Sequence, residues 1–470
     1  MFASSKKTVK DPKYLLNEGP TVIGMMSVVI DSGGSLDTAV RNVSRDGPRG
    51  ARPLFKSVVY DADTRQIPDI KAGLTSAISS LPESLSAFRR SLHMVIAASE
   101  SNDANERARM LKDASDISIA GLKETGETYS SSLNTPCMVV FALGIMVPMV
   151  LMSILPMLNI GGMFGGTPID SNLVSILTLA GIPAVIVTTI LGVKEKNPFM
   201  LPVSGSFDIK YIIPFVIAIP AAFAIYSYTG KVDTAVIIST SVSGLLVFAS
   251  MYPEVRKEKL RAKQERYLKD SVFELGNRLI SGENFETALV SAIAVRSECA
   301  SLAESMKREL MMSRGDNCAA IRTAIGNISP FVADLLCDIC RCSVKDIRDA
   351  GRLAISVGRQ LQDQETVRKS IGNKLKSMVD MMTGTAMVFA PLVLGMSVSM
   401  LGPLTEIMDG ADMSGTSITL SVYLAELCIL ISFLTAYLNG KPEPKEIVYR
   451  IGMMLPVAMM VFLVCTRISF

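Results

Sequence analysis

The chain has 470 residues, of which 49% are hydrophobic and only 19% charged, with 28 Met and no Trp. Soluble proteins of this size carry about a quarter charged residues, so low charge with a mean hydropathy of +0.37 indicates a polytopic membrane protein. The same numbers exclude a disordered chain, a collagen-like chain and a disulfide scaffold, and a net charge of +3 is too small to imply a nucleic-acid partner.

Residues 1–136 carry charges throughout, and 1–135 are expected to fold as a helical bundle. Lys6, Lys7, Lys10 and Lys13 are followed by no apolar core, and Thr21–Ile30 is too short to span, so no cleavable signal peptide is expected. Seven apolar runs follow, each near the length of about 20 residues that a bilayer-crossing helix needs. They are Cys137–Met157, Leu173–Val193, Tyr211–Tyr228, Thr234–Tyr252, Thr383–Leu404, Ser417–Tyr437 and Ile447–Cys465. Pro214 and Pro220 interrupt the third. The division expected is therefore a bundle at 1–135, four spans at 136–253, a second bundle at 254–380 and three spans at 381–470.

Basic residues set the orientation. Loop 194–210 carries Lys194, Lys196 and Lys210; segment 253–270 carries seven Lys or Arg, and link 438–446 carries Lys441 and Lys445. Loops 158–171 and 405–416 carry none. The alternation predicts a cell-membrane protein with its N-terminus and both bundles in the cytoplasm and its C-terminus outside.

The two bundles repeat each other. Ser32-Gly33-Gly34-Ser35-Leu36-Asp37-Thr38-Ala39-Val40 matches Ser281-Gly282-Glu283-Asn284-Phe285-Glu286-Thr287-Ala288-Leu289 at a spacing of 249, and Met138-Val139 matches Met387-Val388 at the same spacing. Apolar residues recur at three and four, as at Leu275, Leu279, Phe285 and Leu289, which predicts helices. Gly33, Gly34 and Gly282 would end one helix; Ser35 or Asn284 would cap the next, with Asp37 or Glu286 in its first turn. Pro68, Pro82 and Pro330 mark further breaks, and long helices near Ala104–Ser132 and Lys345–Lys376 would lead into the membrane. The fold class is all-α: two repeated bundles plus about seven transmembrane helices.

This duplicated arrangement, with the turns Ile30–Val40 and Leu279–Leu289, resembles the type II secretion F-domain family. These are the inner-membrane platform proteins of type II secretion systems, type IV pili, Tad pili and archaella, and the architecture is most similar to the archaeal members. The resemblance implies a platform that anchors a hexameric secretion ATPase and moves pilin-like subunits, with no catalysis and no cofactor of its own. A homo-oligomer, dimer or trimer, would match the motor's symmetry. The residues expected at partner contacts are Gly33, Gly34, Asp37, Gly282 and Glu286, with the basic residues Arg256, Lys257, Lys259 and Arg261 either docking the ATPase or meeting anionic lipid heads.

The chemistry expected of other residues is sparse. No G-x-x-x-x-G-K-[ST] motif occurs, so there is no P-loop. The one His, His93, reads as packed or surface. Cys337, Cys340 and Cys342 lack a fourth ligand at metal-site spacing and read as core cysteines. Gly161, Gly162, Gly165 and Gly166 make loop 158–171 a contact for outer components or a loop with no role. Glu426 lies mid-span in the sixth run. An ionisable group there is either a polar contact to another helix or subunit, or the functional residue of a transporter or channel, which is the alternative reading of the whole chain. Arg450 is placed to snorkel to the interface.

Overall fold

In the computed structural model the described residues are 12–48, 50–151, 175–199, 220, 223, 225–227, 232–313, 315–407, 414–440 and 443–467. Among them every regular element is helical and no strand occurs. Among the described residues six helices are long and apolar enough to cross a membrane, so the protein has an all-α multi-pass membrane fold. The third predicted run lies largely outside the described residues, as does the glycine loop 158–171. By contacts the chain forms two compact units: one of residues 1–127 and 258–371, the other of residues 128–257 and 372–470.

The first unit holds two helical bundles of six helices each. In the first bundle these are α1 (Pro12–Asp31), α2 (Leu36–Asp46), α3 (Arg52–Asp63), α4 (Ile70–Ser79), α5 (Ser86–Glu100) and α6 (Ala104–Ser132). After α7 (Asn134–Phe141) and α8 (Ile182–Lys196), the second bundle takes α9 (Val232–Ile280), α10 (Phe285–Ala294), α11 (Ala300–Met312), α12 (Asn317–Ile325), α13 (Pro330–Ser343) and α14 (Ile347–Gly384). Each bundle thus runs as a helix, a glycine turn, four shorter helices and a long exit helix. Proline marks starts in both, with Pro82 before a 3₁₀ turn at Glu83–Leu85 and Pro330 at the first position of α13, where its missing N–H costs nothing.

Apolar residues at helical spacing fill each interior. Val40, Phe55, Leu74 and Leu92 are buried in the first bundle, and Leu275, Leu289, Ile321 and Leu336 in the second. The bundles also share residues: Val28 of α1 belongs to the second core, and α1 and α2 both touch α13.

The register of the repeat changes along the chain. Leu36 and Phe285, which open α2 and α10, lie 249 apart, whereas Ala104 and Ile347, which open the exit helices, lie 243 apart. The matching of Met138-Val139 to Met387-Val388 at 249 is therefore not a structural equivalence. At 243 the counterpart of Met138 is Met381, and the two are 74% and 55% exposed. Small length changes between the short helices remove the difference. The six residues 80–85 joining α4 to α5 correspond, for example, to four residues, 326–329, joining α12 to α13.

The second unit contains the apolar helices, completed by α15 (Ala390–Ile407), α16 (Ser414–Leu438) and α17 (Pro444–Arg467). Among its described residues three π-helical turns interrupt it, at Ala142–Met146, Leu177–Gly181 and Thr385–Phe389. Each closes an N–H to the carbonyl five residues back, from Val147 to Ala142, Ile182 to Leu177 and Ala390 to Thr385. The first and third follow the two exit helices and again lie 243 apart. A π turn widens the helix and misaligns nearby carbonyls, a feature concentrated at functional positions.

Candidate functional site

The glycine turns are built alike. Gly33 N donates to Ile30 O at 3.1 Å and Gly34 N to Val29 O at 2.8 Å. Gly282 N donates to Leu279 O at 3.0 Å and Glu283 N to Arg278 O at 3.1 Å. This pair of bonds is the Schellman helix end, whose C′ residue takes a left-handed backbone. Gly33 and Gly282 occupy that position with φ of +83° and +88°. Gly34 is needed for closeness, since a Cβ there would stand 2.7 Å from the Val29 carbonyl oxygen.

The next helices start as their sequences dictate, with one difference. The Ser35 side chain accepts from Thr38 N at 3.2 Å and caps α2. Asn284 stands at the same place before α10, but its side chain makes no cap bond.

Asp37 and Glu286, both in first turns, are tied to their own bundles. Asp37 accepts from Arg41, and Arg41 bridges onward to Asp63 at the end of α3, with Nη2 to Oδ1 at 2.7 Å. Arg41 holds the Asp63 carboxyl below its usual range. Glu286 accepts from Asn317 Nδ2 at 3.1 Å, at the start of α12. Glu18, on α1, does a comparable job: it accepts from Gly50 N at 3.1 Å and Ala51 N at 2.8 Å, at the start of α3. Burial pushes its carboxyl above the usual range, opposed by those two bonds and by Arg368 and Arg52.

Arg256, Lys257, Lys259 and Arg261 are all exposed on α9. Further along, Arg266 pairs with Glu365 at 2.6 Å, and Arg296 lies over the Tyr267 ring at 5.6 Å. These residues, with Asp270 and Lys369, line an open groove of about 520 Å³ in which Arg266 and Glu365 pair with each other.

The cysteines cluster more tightly than their sequence spacing implies. Cys318 Sγ lies 3.8 Å from the Cys337 carbonyl oxygen, and Cys337 Sγ 3.6 Å from that of Cys318. Cys337 and Cys340 are buried on α13, while Cys318 and Cys342 are half-buried. Desolvation raises the Cys337 thiol to about 12 and the Cys340 thiol to about 11. Among the described residues no group of three or more His, Cys, Asp or Glu is arranged to hold a metal ion. His93 is exposed on α5.

In the second unit α16 touches all three π turns. Tyr423 OH donates to Gly144 O in the first, at 2.6 Å. Cys428 Sγ lies 4.0 Å from Ala386 O in the third. Helix α16 also packs against the second, Leu177–Gly181. Glu426 is on the same helix, one turn from Tyr423. It is half-buried, and among the described residues it makes no hydrogen bond and no ion pair. Arg450 is not its counterion: its Nη2 donates to Glu446 at 2.8 Å, one turn earlier on α17.

Another polar anchor holds the link before α17. Asn197 is fully buried, donates to Tyr437 O at 2.5 Å and accepts from Phe199 N at 2.8 Å. Gly440, at φ +68°, lets that link pass against Phe199, where a Cβ would meet the carbonyl oxygen at 2.6 Å.

The sequence reading did not single out Tyr423, Gly144, Cys428 or Asn197. A Tyr near the middle of an apolar run was the available signal, because its hydroxyl needs an acceptor there. Nothing in local spacing points from Tyr423 to Gly144.

Comparison with known proteins adds no relative: no family model, curated protein or solved structure matches the chain.

Proposed function

We propose that this protein is the membrane platform of a type II secretion or type IV pilus-like machine. In this reading a hexameric cytoplasmic ATPase docks on the paired bundles, and the spans move a pilin-like subunit. The observation that carries the reading is the duplicated six-helix bundle, each copy ending in a long helix that continues into an apolar helix with a π turn. Such a construction suits the transfer of force: rigid helices couple a soluble docking surface to the membrane without a catalytic group.

The tied state of Asp37 and Glu286 moves the expected docking contacts outward. Large exposed apolar side chains, such as Tyr60 at 62% exposure and Met311 and Met312 at 70% and 75%, offer contact area there. The basic residues Arg256 and Arg261 would meet either the ATPase or anionic lipid heads.

The test is a mild-detergent pull-down from native membranes followed by mass spectrometry. Recovery of a secretion ATPase and a pilin-like protein supports the platform. Glu426 favours a second reading, a transporter or channel, because a carboxyl in a span with no partner among the described residues marks ion and solute paths. A protein recovered without either partner, and binding a small solute or ion, would establish that reading instead.

A further inference from the structure

Helix α16 has two unlike faces. On one, Tyr423, Leu424, Leu427, Cys428, Ile431 and Leu434 are buried, all at 1% exposure or less. On the other, Val422, Glu426, Leu430 and Phe433 follow at spacings of four, four and three, which places them on one stripe. Val422 is 42% and Phe433 37% exposed, and Glu426 and Leu430 are half-buried. An outward apolar stripe on a span ordinarily faces lipid. A carboxyl in the middle of that stripe does not suit lipid, because ionisable groups within spans face a partner or water and pair with a group of opposite charge. Within the chain Glu426 has no such group among the described residues, and Arg450 is engaged by Glu446.

We infer that the Val422–Phe433 stripe of α16 is a docking face for a transmembrane helix of another protein, and that this helix carries a basic group at the depth of Glu426. The carboxyl supplies the charge complement, and Val422, Leu430 and Phe433 supply apolar contact above and below it. The inference deepens the platform reading: the docked helix is that of the subunit being moved. The position also suits that work, since α16 contacts the π turns that follow both exit helices. A movement at either turn is felt by the helix that holds the cargo.

The experiment places the photo-crosslinker p-benzoylphenylalanine at position 422 or 433 of the full-length protein in its native membrane. Position 185 on α8 is the control, where Val185 is 45% exposed. The expected result is an adduct from 422 and 433, and not from 185, that maps to an apolar helix of a second protein bearing Lys or Arg. Glu426→Lys should lower its yield roughly tenfold, the scale of one lost interhelical polar contact. Replacing the partner's basic residue with Glu should restore the yield in the Glu426→Lys background. If Glu426→Lys does not insert, Glu426→Leu is used, and the same loss is expected. Adducts with lipid only, adducts with a second copy of this chain, or a yield indifferent to residue 426 would each overturn the inference. ATPase recovery through the bundles is scored in the same samples. An ATPase retained without the expected adduct sinks the docking face alone, whereas loss of both sinks the platform reading as well.

Discussion

The Tyr423 hydroxyl donates a 2.6 Å hydrogen bond to the carbonyl oxygen of Gly144, across 279 residues of sequence. The acceptor belongs to a π turn, where the helix ladder is out of step, and both groups are buried. No water is available in a span to take the place of a lost partner. Tyr423→Phe is therefore expected to lower the stability of the membrane unit by about 1 kcal/mol, the scale of a polar contact between membrane helices. The check is thermal unfolding in detergent, with Tyr423→Ala as a larger reference because it also leaves a cavity. A Phe variant as stable as the parent would show that the Gly144 carbonyl is satisfied another way.

The Schellman turns make a prediction with an internal control. Gly33 and Gly282 have positive φ, and a Cβ at either would meet nothing within 4 Å. Alanine at each position thus meets a conformational cost and no steric one, about 1–2 kcal/mol per site. Gly372→Ala, also in open space but without positive φ, should be neutral or stabilising. Denaturant or thermal unfolding of the three variants distinguishes them, and an equal response from all three would remove the left-handed backbone as the cause.

Much of this is legible in the sequence, and the reasons are local. The glycine turns, the Ser35 cap, the break at Pro330 and α6 at Ala104–Ser132 all follow from rules that act over a few residues. Apolar runs marked the spans because length and composition suffice. The register of the repeat at the exit helices was misread from Met138 and Met387, because two matched residues cannot reveal length changes in the loops between them. The Tyr423–Gly144 bond, the Cys318–Cys337 contact and the Asn197 anchor were out of reach for another reason: each joins segments whose meeting depends on the whole packing.

Helices α9 and α14 approach to backbone contact in the second bundle. A Cβ on Gly276 would stand 2.7 Å from Ile355 N and 2.9 Å from Gly351 O, and one on Gly351 would stand 2.9 Å from Ile280 N. Backbone atoms cannot rotate away as a flexible side chain can. Gly276→Ala and Gly351→Ala should each destabilise the bundle by about 1–3 kcal/mol, the range for overpacking, and the pair should be non-additive because they share one contact. A double-variant cycle by chemical denaturation measures the coupling. Additive losses would show that the two helices separate independently at each site.

The thiol cluster gives the last prediction, with a sign that can be worked out. Desolvation raises Cys337 to about 12 and Cys340 to about 11 from an ordinary 9.0, so folding favours the neutral thiol. That contribution to stability is fully present below pH 9 and is lost as pH rises through the folded values. At pH 8 the protein should therefore hold far less thiolate at Cys337 than an unperturbed thiol would, and only thiolate alkylates at a useful rate. Iodoacetamide applied to the full protein at that pH should therefore leave Cys337 and Cys340 unlabelled until denaturant is added, with half-buried Cys318 reacting ahead of both. Peptide mapping after timed quenching reads all three sites at once. Early labelling of Cys337 in folded protein would mean that α12 and α13 part often enough to admit the reagent, and that their packing is not the barrier argued from the 3.6 Å and 3.8 Å contacts between them.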